Sequence, residues 1–340
     1  NVKSENDFIL TISWLVAAFR SKGPYPLLVL SGEQGTAKSS FTKTLKNIVD
    51  PNKAALRTLR ADDRDLFIAA NNGHVLAFDN ISKIPDAVSD ALCRLATGGG
   101  YATRQLYTDQ GETLFNATRP IILNGINDVV VRPDLADRSI VLTLERIPSD
   151  KRRPETELKT EFDEKLPGIL GVLFDMVSLG LKTLPDTKLD GFPRMADFAL
   201  WATACETAIS QPGAFMVAYD ANRLSAIEDV LDASPVAVAV QAFIDKQETW
   251  TGTASGLLDI LSENAPPHDK SWPKTPRALS GELTRVAPFL RQVGIEIETG
   301  ERANDRNRTR LMAITKNVDQ QPSEPSRPSE ATDIADGADE

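Results

Sequence analysis

The sequence predicts an α/β chain built on a mostly parallel sheet, with a helical region behind it and a smaller helix-and-hairpin module at the end. Three observations predict this. Apolar strand-like runs alternate with helical patterns from Asn1 to about Ile147. The pattern is helical throughout from Pro154 to Asp232, and Ser234-Pro235 then opens three helices followed by two short strands. Strands separated by helices need crossovers, so they lie parallel with helices on both faces. A chain of 340 residues has room for two or three domains. The expected boundaries are 1–150, 151–233, 234–316 and 317–340.

The elements follow in order. A helix over Phe8–Phe19, with Asp7 as N-cap, precedes the strand Pro26–Ser31. A Gly-rich turn leads to the helix Lys38–Ile48, and a short strand near Leu56–Leu59 precedes the helix Asp62–Asn71. Next come the strand His74–Asp79, the helix Ile84–Ala96, a Gly-rich insertion, and the strands Pro120–Asn124 and Arg138–Leu144. Helices Glu155–Lys182, Arg194–Ile209 and Ala214–Leu231 are separated by Pro/Gly breaks. The last module reads as helix Val236–Lys246, helix Thr251–Leu261, helix Ala278–Val293, and a hairpin of Ile295–Glu298 with Thr309–Ile314. Three helices and a hairpin make a winged helix. From Val318 onward the chain is polar, acidic and proline-bearing, and is expected to be disordered.

Composition excludes several classes. No uninterrupted apolar run nears the roughly 20 residues that span a bilayer; the longest are Leu27–Leu30 and Pro235–Ala242. No membrane partner is expected, and the location is expected to be cytoplasmic. The chain starts at Asn1 within a helical pattern, without a basic-then-apolar leader, and so reads as part of a longer polypeptide. Cys93 and Cys205 sit in apolar helical contexts, with only His74 and His268 besides, which argues against a zinc site. The net charge of −10 argues against nucleic acid until its distribution is read. Lys270–Lys316 carries +5 and Asn317–Glu340 carries −6, leaving −9 on the rest. A basic module therefore lies between an acidic body and an acidic tail.

The residues Gly32, Glu33, Gln34, Gly35, Thr36, Ala37, Lys38, Ser39 and Ser40 follow an apolar strand and open a helix, the context a phosphate-binding P-loop requires. Such a loop turns its backbone N–H groups around phosphates, and the helix adds its positive N-terminus. Lys38 supplies a mobile cation and Ser39 a hydroxyl for Mg²⁺. Ala37 stands where Gly normally precedes the Lys, which is tolerable if its φ stays negative. His74-Val-Leu-Ala-Phe-Asp79-Asn80 describes a buried strand delivering a carboxylate at its C-terminal edge, where such sheets bind ligands. Asp79 then shares the metal with Ser39, and ATP with Mg²⁺ are the expected cofactors. Many ATPases of this type carry Glu or Asp after that Asp; Asn80 cannot accept a proton, which leaves Asp86 and Asp90 as weak candidates for the base. Asn124, at the tip of the strand Pro120–Asn124, can orient a lytic water, although Asn before Gly is also a common turn.

These motifs in this order resemble the AAA+ ATPases, and more closely the superfamily-three helicases and the primase-helicases of phages and mobile elements. The resemblance covers Asn1 to about Leu231 and implies an AAA+ P-loop NTPase with a helical lid. It gives Asn124 the sensor-1 role. It makes Arg138 a finger reaching the neighbour's γ-phosphate, the alternative being a salt bridge to Asp134 or Asp137. It makes Arg194 a lid arginine folding over the nucleotide, the alternative being simple surface charge. The insertion Leu95–Asp109 looks like the threonine-glycine segment that leads into a pore hairpin in those helicases. Arg104 and Tyr107 are then the single-strand contacts, or else a solvated charge on a flexible loop. The resemblance implies a homo-oligomer, a hexameric ring around single-stranded DNA, and leaves room for an upstream primase domain or another replication partner.

In the winged helix, Arg277, Arg285 and Arg291 fall on or beside the recognition helix and Arg306, Arg308 and Arg310 in the wing, all suited to duplex phosphates. Winged helices also serve as protein-interaction modules. The expected function is an ATP-dependent DNA helicase or translocase in mobile-element replication. The alternative is a DNA-binding AAA+ regulatory switch without unwinding; a small-molecule kinase shares only the P-loop.

Overall fold

The computed structural model describes residues 2–99, 101–104, 112–115, 117–125, 132–263, 272–302 and 310–317. It divides into two units, residues 1–234 and 235–340.

The first unit is an α/β sandwich. Helix α1 (Glu5–Ala18) is capped by Ser4, whose hydroxyl accepts from the Asp7 N–H; the sequence favoured Asp7 itself, which instead lies in the first turn. Strand β1 (Leu27–Ser31) leads to helix α2 (Lys38–Val49), followed by α3 (Asp63–Asn71), β2 (Leu76–Ile81) and α4 (Asp86–Thr97). Asp62 caps α3 by accepting from the Arg64 N–H at 2.9 Å. Strands β3 (Tyr101–Arg104) and β4 (Glu112–Phe115) pair antiparallel in a sheet of their own. Then come β5 (Ile121–Gly125), the one-turn helix α5 (Pro133–Ala136) and β6 (Ser139–Thr143). The main sheet has the order β2-β5-β1-β6 and all its pairings are parallel. The stretch expected as a strand near Leu56–Leu59 is not one. Only Arg57 meets the sheet, through one bridge to Phe78.

Being buried on both faces, the strands are apolar without alternation. On one face Leu27, Val29, Leu76, Phe78, Ile121 and Leu123 pack with α3 and α4. The other face packs against α1 and three further helices, α6 (Glu155–Thr183), α7 (Ala196–Glu206) and α8 (Ala214–Asp232). Met176, Phe198, Trp201, Phe215 and Tyr219 share that core with Trp14, Leu28, Leu30 and Ile140. Residues 151–233, expected as a lid, are therefore part of the same compact unit. Asn222 of α8 closes the open edge of β6 as a further strand would. Its side chain accepts from the Val141 N–H (3.0 Å) and donates to the Val141 carbonyl (2.6 Å).

Helix α6 corrects one reading of the sequence. By length and composition, Glu155–Asp186 is long and apolar enough to cross a membrane. Asp175 and Lys182 interrupt its apolar stretch, so it contains no long unbroken apolar run. One side of the helix, at Leu173, Met176 and Gly180, is built into the core.

In the second unit, α9 (Pro235–Ile244), β7 (Thr249–Thr253), α10 (Ala254–Ser262) and α11 (Pro276–Gln292) precede β8 (Ile295–Arg302) and β9 (Arg310–Lys316). The antiparallel sheet has the order β7-β9-β8. Helix–strand–helix–helix–hairpin is a winged-helix-like arrangement. Strand β7 falls where the sequence reading began a helix at Thr251. Thr253 ends the strand and caps α10 by accepting from the Gly256 N–H (3.1 Å).

A partly buried ion pair ties α2 to the start of β2. Lys46, 2 % exposed, donates to the Asp50 carboxylate (2.9 Å) and the Val75 carbonyl (2.7 Å). Burial alone raises the Asp50 carboxyl, yet the Val75 N–H and Lys46 hold it below its ordinary value. Removing one partner of such a pair strands the other, at about 3 kcal/mol. Because the folded state depresses this acid, its contribution is present above the unfolded pKa and is lost as pH falls through the folded one. In urea melts, Asp50→Asn is expected to be less stable than wild type at pH 7, with the gap closing as the pH falls below that range. A gap independent of pH contradicts this account.

Candidate functional site

Parallel pairing sets the register of the site. Leu30 of β1 lies opposite Asn124 of β5, and Phe78 of β2 opposite Leu123. The loop after Ser31, the carboxylate of Asp79 and the side chain of Asn124 therefore reach the same edge of the sheet, the carboxyl ends of three neighbouring strands.

The loop is held by contacts that require its glycines. Gly32 has φ +139°, and a Cβ there would meet the Leu144 carbonyl at 2.7 Å. Gly35 has φ +90°, and a Cβ there would lie 2.9 Å from Nη2 of Arg152. Gln34 is exposed, Glu33 is exposed, and Thr36 is buried with its hydroxyl donating to the Glu33 carbonyl (3.1 Å). Ala37 has φ +58° and ψ +30°. The negative φ that its methyl group prefers is not adopted, because the turn into α2 needs the left-handed conformation the usual glycine supplies. Lys38 folds back on the loop, its ammonium donating to the carbonyls of Gly32 (2.6 Å) and Glu33 (2.8 Å). Burial lowers the Lys38 ammonium from its ordinary value, with Asp79 opposing. Ser39 donates to Oδ1 of Asp79 at 3.0 Å, and Ser40 lies in the first turn of α2. The hydroxyl and carboxylate that converge beside the Gly32–Ser39 loop are hard-oxygen donors of the kind that suits Mg²⁺.

Strand β2 shifts register between Phe78 and Ile81, a bulge that re-aims the end of the strand. Asn80 takes φ +57° there and donates its N–H to Oδ1 of Asn124 (3.0 Å). Asn124, 1 % exposed, in turn donates through Nδ2 to the Thr42 hydroxyl (3.0 Å). It thus braces β2, β5 and α2 together. Asp86 and Asp90 flank Arg132, at 3.6 and 2.9 Å.

Arg138 and Arg194 lie elsewhere. Arg138 precedes β6, whose Ser139 pairs with Leu27 at the start of β1, whereas the loop follows Ser31, which pairs with Thr143. At roughly 3.3 Å per residue the two edges are about 13 Å apart. Arg138 donates to the Asp134 carbonyl (2.7 Å) and to the Asp134 carboxylate, the salt bridge weighed as an alternative. Arg194 stands beside Asp137 (3.5 Å) and Asp134 (4.0 Å). It is at the strand-start edge with Arg138, not over the loop where a lid arginine was expected. Sequence reasoning missed two residues here. Arg223 reaches Asp137 at 3.3 Å, and Arg152 lies against Gly35; neither belongs to a motif, and only folding brings them in.

Of the expected DNA contacts, Arg104 is placed by its backbone in β3, opposite Glu112, and Arg310 by its backbone in β9, opposite Arg302. Tyr107, Arg306 and Arg308 lie outside the described residues. On α11, Arg277 is exposed, Arg285 pairs with Glu282 (2.8 Å), and Arg291 is held in a fork by Glu296 (2.6 Å). Trp250 packs on Gly252 and Phe243.

Residues 1–232 match the model of the actinomycete integrative conjugative element replication proteins. The chain belongs to that family. Residues 236–329 of this replication protein match the C-terminal domain of the same proteins, so a mobile-element replication body is followed by a distinct C-terminal domain. No curated protein matches. Among solved structures, the apo C-terminal region of NrS-1 (residues 305–718) is 13% identical over 92% of this chain and 72% of that one, with a TM-score of 0.41. Two A-form apo structures of that region are each 14% identical over 93% of this chain and 72% of theirs, at TM-scores of 0.41 and 0.39.

The strain at Ala37 is measurable. Ala37→Gly is expected to stabilise the protein by ~0.5–1 kcal/mol, the relief of the left-handed conformation outweighing the added chain entropy. Denaturant melts check the sign; destabilisation contradicts the assigned backbone.

Proposed function

We propose that this replication protein is an ATP-dependent DNA helicase or translocase, working as a ring on single-stranded DNA during replication of its element. The single observation that supports the reading most is the convergence on one sheet edge of the Gly32–Ser39 loop, the Ser39–Asp79 hydrogen bond and Asn124. The loop's backbone N–H groups and the N-terminus of α2 receive the phosphates, and Lys38 exchanges its loop carbonyls for phosphate oxygens. Ser39 and Asp79 would hold Mg²⁺, which would neutralise phosphate charge there. Asn124 fixes the end of β2 relative to the loop. Arg138, held at the opposite edge, cannot reach its own loop and serves a neighbour's nucleotide. The paired strands β3 and β4 carry Arg104 toward single-stranded DNA, and the C-terminal domain takes duplex through Arg277 and its neighbours.

A second reading, a DNA-binding switch without unwinding, is favoured by the region after Asp79. Asn80 has no acid to offer, and Asp86 and Asp90 are engaged with Arg132. A strand-displacement assay separates the two, since a switch turns over nucleotide without releasing strands.

Lys38→Ala is expected to lose most ATP turnover while its melting is unchanged. Arg138→Ala is expected to bind nucleotide but to hydrolyse it 10³-fold or so more slowly. Mixing the two inactive proteins is expected to restore part of the activity, each supplying what the other lacks at a shared interface. A mixture no more active than its parts contradicts the shared site.

A further inference from the structure

We propose that Arg152 binds the phosphate chain of the nucleotide held by its own protomer's Gly32–Ser39 loop, and that residues 144–154 are the strap that carries it there. The inference rests on the nucleotide reading above and adds to that site a cation that no motif marks.

The strap joins β6 to α6 and is fastened to the loop at successive points. The Leu144 N–H donates to the Ser31 carbonyl (2.9 Å), and the Leu144 carbonyl is the group that a Cβ on Gly32 would meet. Next, the Ile147 N–H reaches the Gly35 carbonyl (3.4 Å). Arg152 then turns back on the strap. Its N–H donates to the Ser149 carbonyl (3.5 Å) and its Nε to the Ile147 carbonyl (3.2 Å). Beyond the strap, Lys43 of α2 pairs with Glu155 at the start of α6 (2.9 Å). Both ends of the strap are therefore tied to the elements that flank the loop.

This folding lays a guanidinium against the exposed backbone of Gly35, with Nη2 at 2.9 Å from the place a Cβ would take. Glycine is needed there twice, once for its φ of +90° and once for the arginine. Among the described residues, the Arg152 side chain makes its hydrogen bond through Nε alone. The residue is exposed, so Nη1 and Nη2 remain open to an incoming acceptor. Its neighbour is spent differently: Arg153 turns to Glu157 (2.8 Å) and Glu161 (2.7 Å) on α6.

The chemistry of the loop calls for such a group. Lys38 is its one cation, and it faces Glu33 in the loop and Asp79 beside it. A phosphate chain entering there meets less positive charge from the protein than it carries negative. The two Nη groups of a planar guanidinium match two phosphate oxygens at once, which a lysine cannot do.

The test titrates a non-hydrolysable ATP analogue with Mg²⁺ into full-length wild type, Arg152→Ala and Arg152→Lys, at low and at high salt. Arg152→Ala is expected to bind roughly tenfold more weakly, the loss of one charge-assisted contact, and to melt without nucleotide as wild type does. Arg152→Lys is expected to recover part of the affinity, keeping the charge without the fork. The gap between wild type and Arg152→Ala is expected to narrow as salt rises, because an exposed charge contact is screened. A residue that only shapes the loop gives a gap that salt does not move, and that result overturns the inference. Equal affinity of wild type and Arg152→Ala overturns it too, and leaves the nucleotide reading standing. If wild type itself binds no analogue, the nucleotide reading falls and takes this inference with it.

Discussion

Strand β5 is paired parallel on both sides, to β1 and to β2, and this pairing controls the rest of the first unit. Parallel pairing sends the carboxyl ends of all three strands to one edge, so the loop after β1, the acid ending β2 and the Asn ending β5 must meet there. The same rule sends whatever precedes a strand to the opposite edge. Arg138 has no freedom in the matter, and the cluster it forms with Arg194 and Arg223 is the counterpart of the loop across the width of the sheet. One sheet order therefore makes two edges of different chemistry, the Gly32–Ser39 loop with Asp79 at one and a set of guanidinium groups at the other.

Buried polar side chains lock these elements together, each standing where a backbone group would otherwise go unsatisfied. Asn124 holds the bulged end of β2 through the Asn80 N–H and α2 through Thr42. Lys46 and Asp50 anchor α2 to the start of β2 through Val75. Glu206 accepts from the Gly213 and Phe215 N–H groups at the start of α8, and Asn222 closes β6. The position of Ser39 against Asp79 is thus set from both ends of α2.

Local features were the legible ones. The Gly32–Ser39 loop and Asp79 could be read because strand, turn and helix signals are contiguous, and the buried strands because a two-faced sheet leaves unbroken apolar runs. What failed depended on distant contacts. Leu56–Leu59 has strand composition but meets the sheet at Arg57 alone. The conformation of Ala37 is dictated by the turn, not by the residue. Arg194 read as a lid arginine because it opens a helix after a Pro, yet the packing of α7 and α8 into the shared core carries it to Asp137. Arg223 and Arg152 have no motif at all. In the second unit, strand β7 was hidden because five residues between two helices look like a helix start until β9 pairs with them.

The central claim is that Ser39 and Asp79 form one metal-assisted phosphate site with the loop. Calorimetric titration of the full chain with a non-hydrolysable ATP analogue, with and without Mg²⁺, tests it most directly when wild type is compared with Asp79→Asn. The account predicts that Mg²⁺ tightens binding to wild type and leaves the affinity of Asp79→Asn nearly unchanged. An equal gain from Mg²⁺ in both proteins contradicts it.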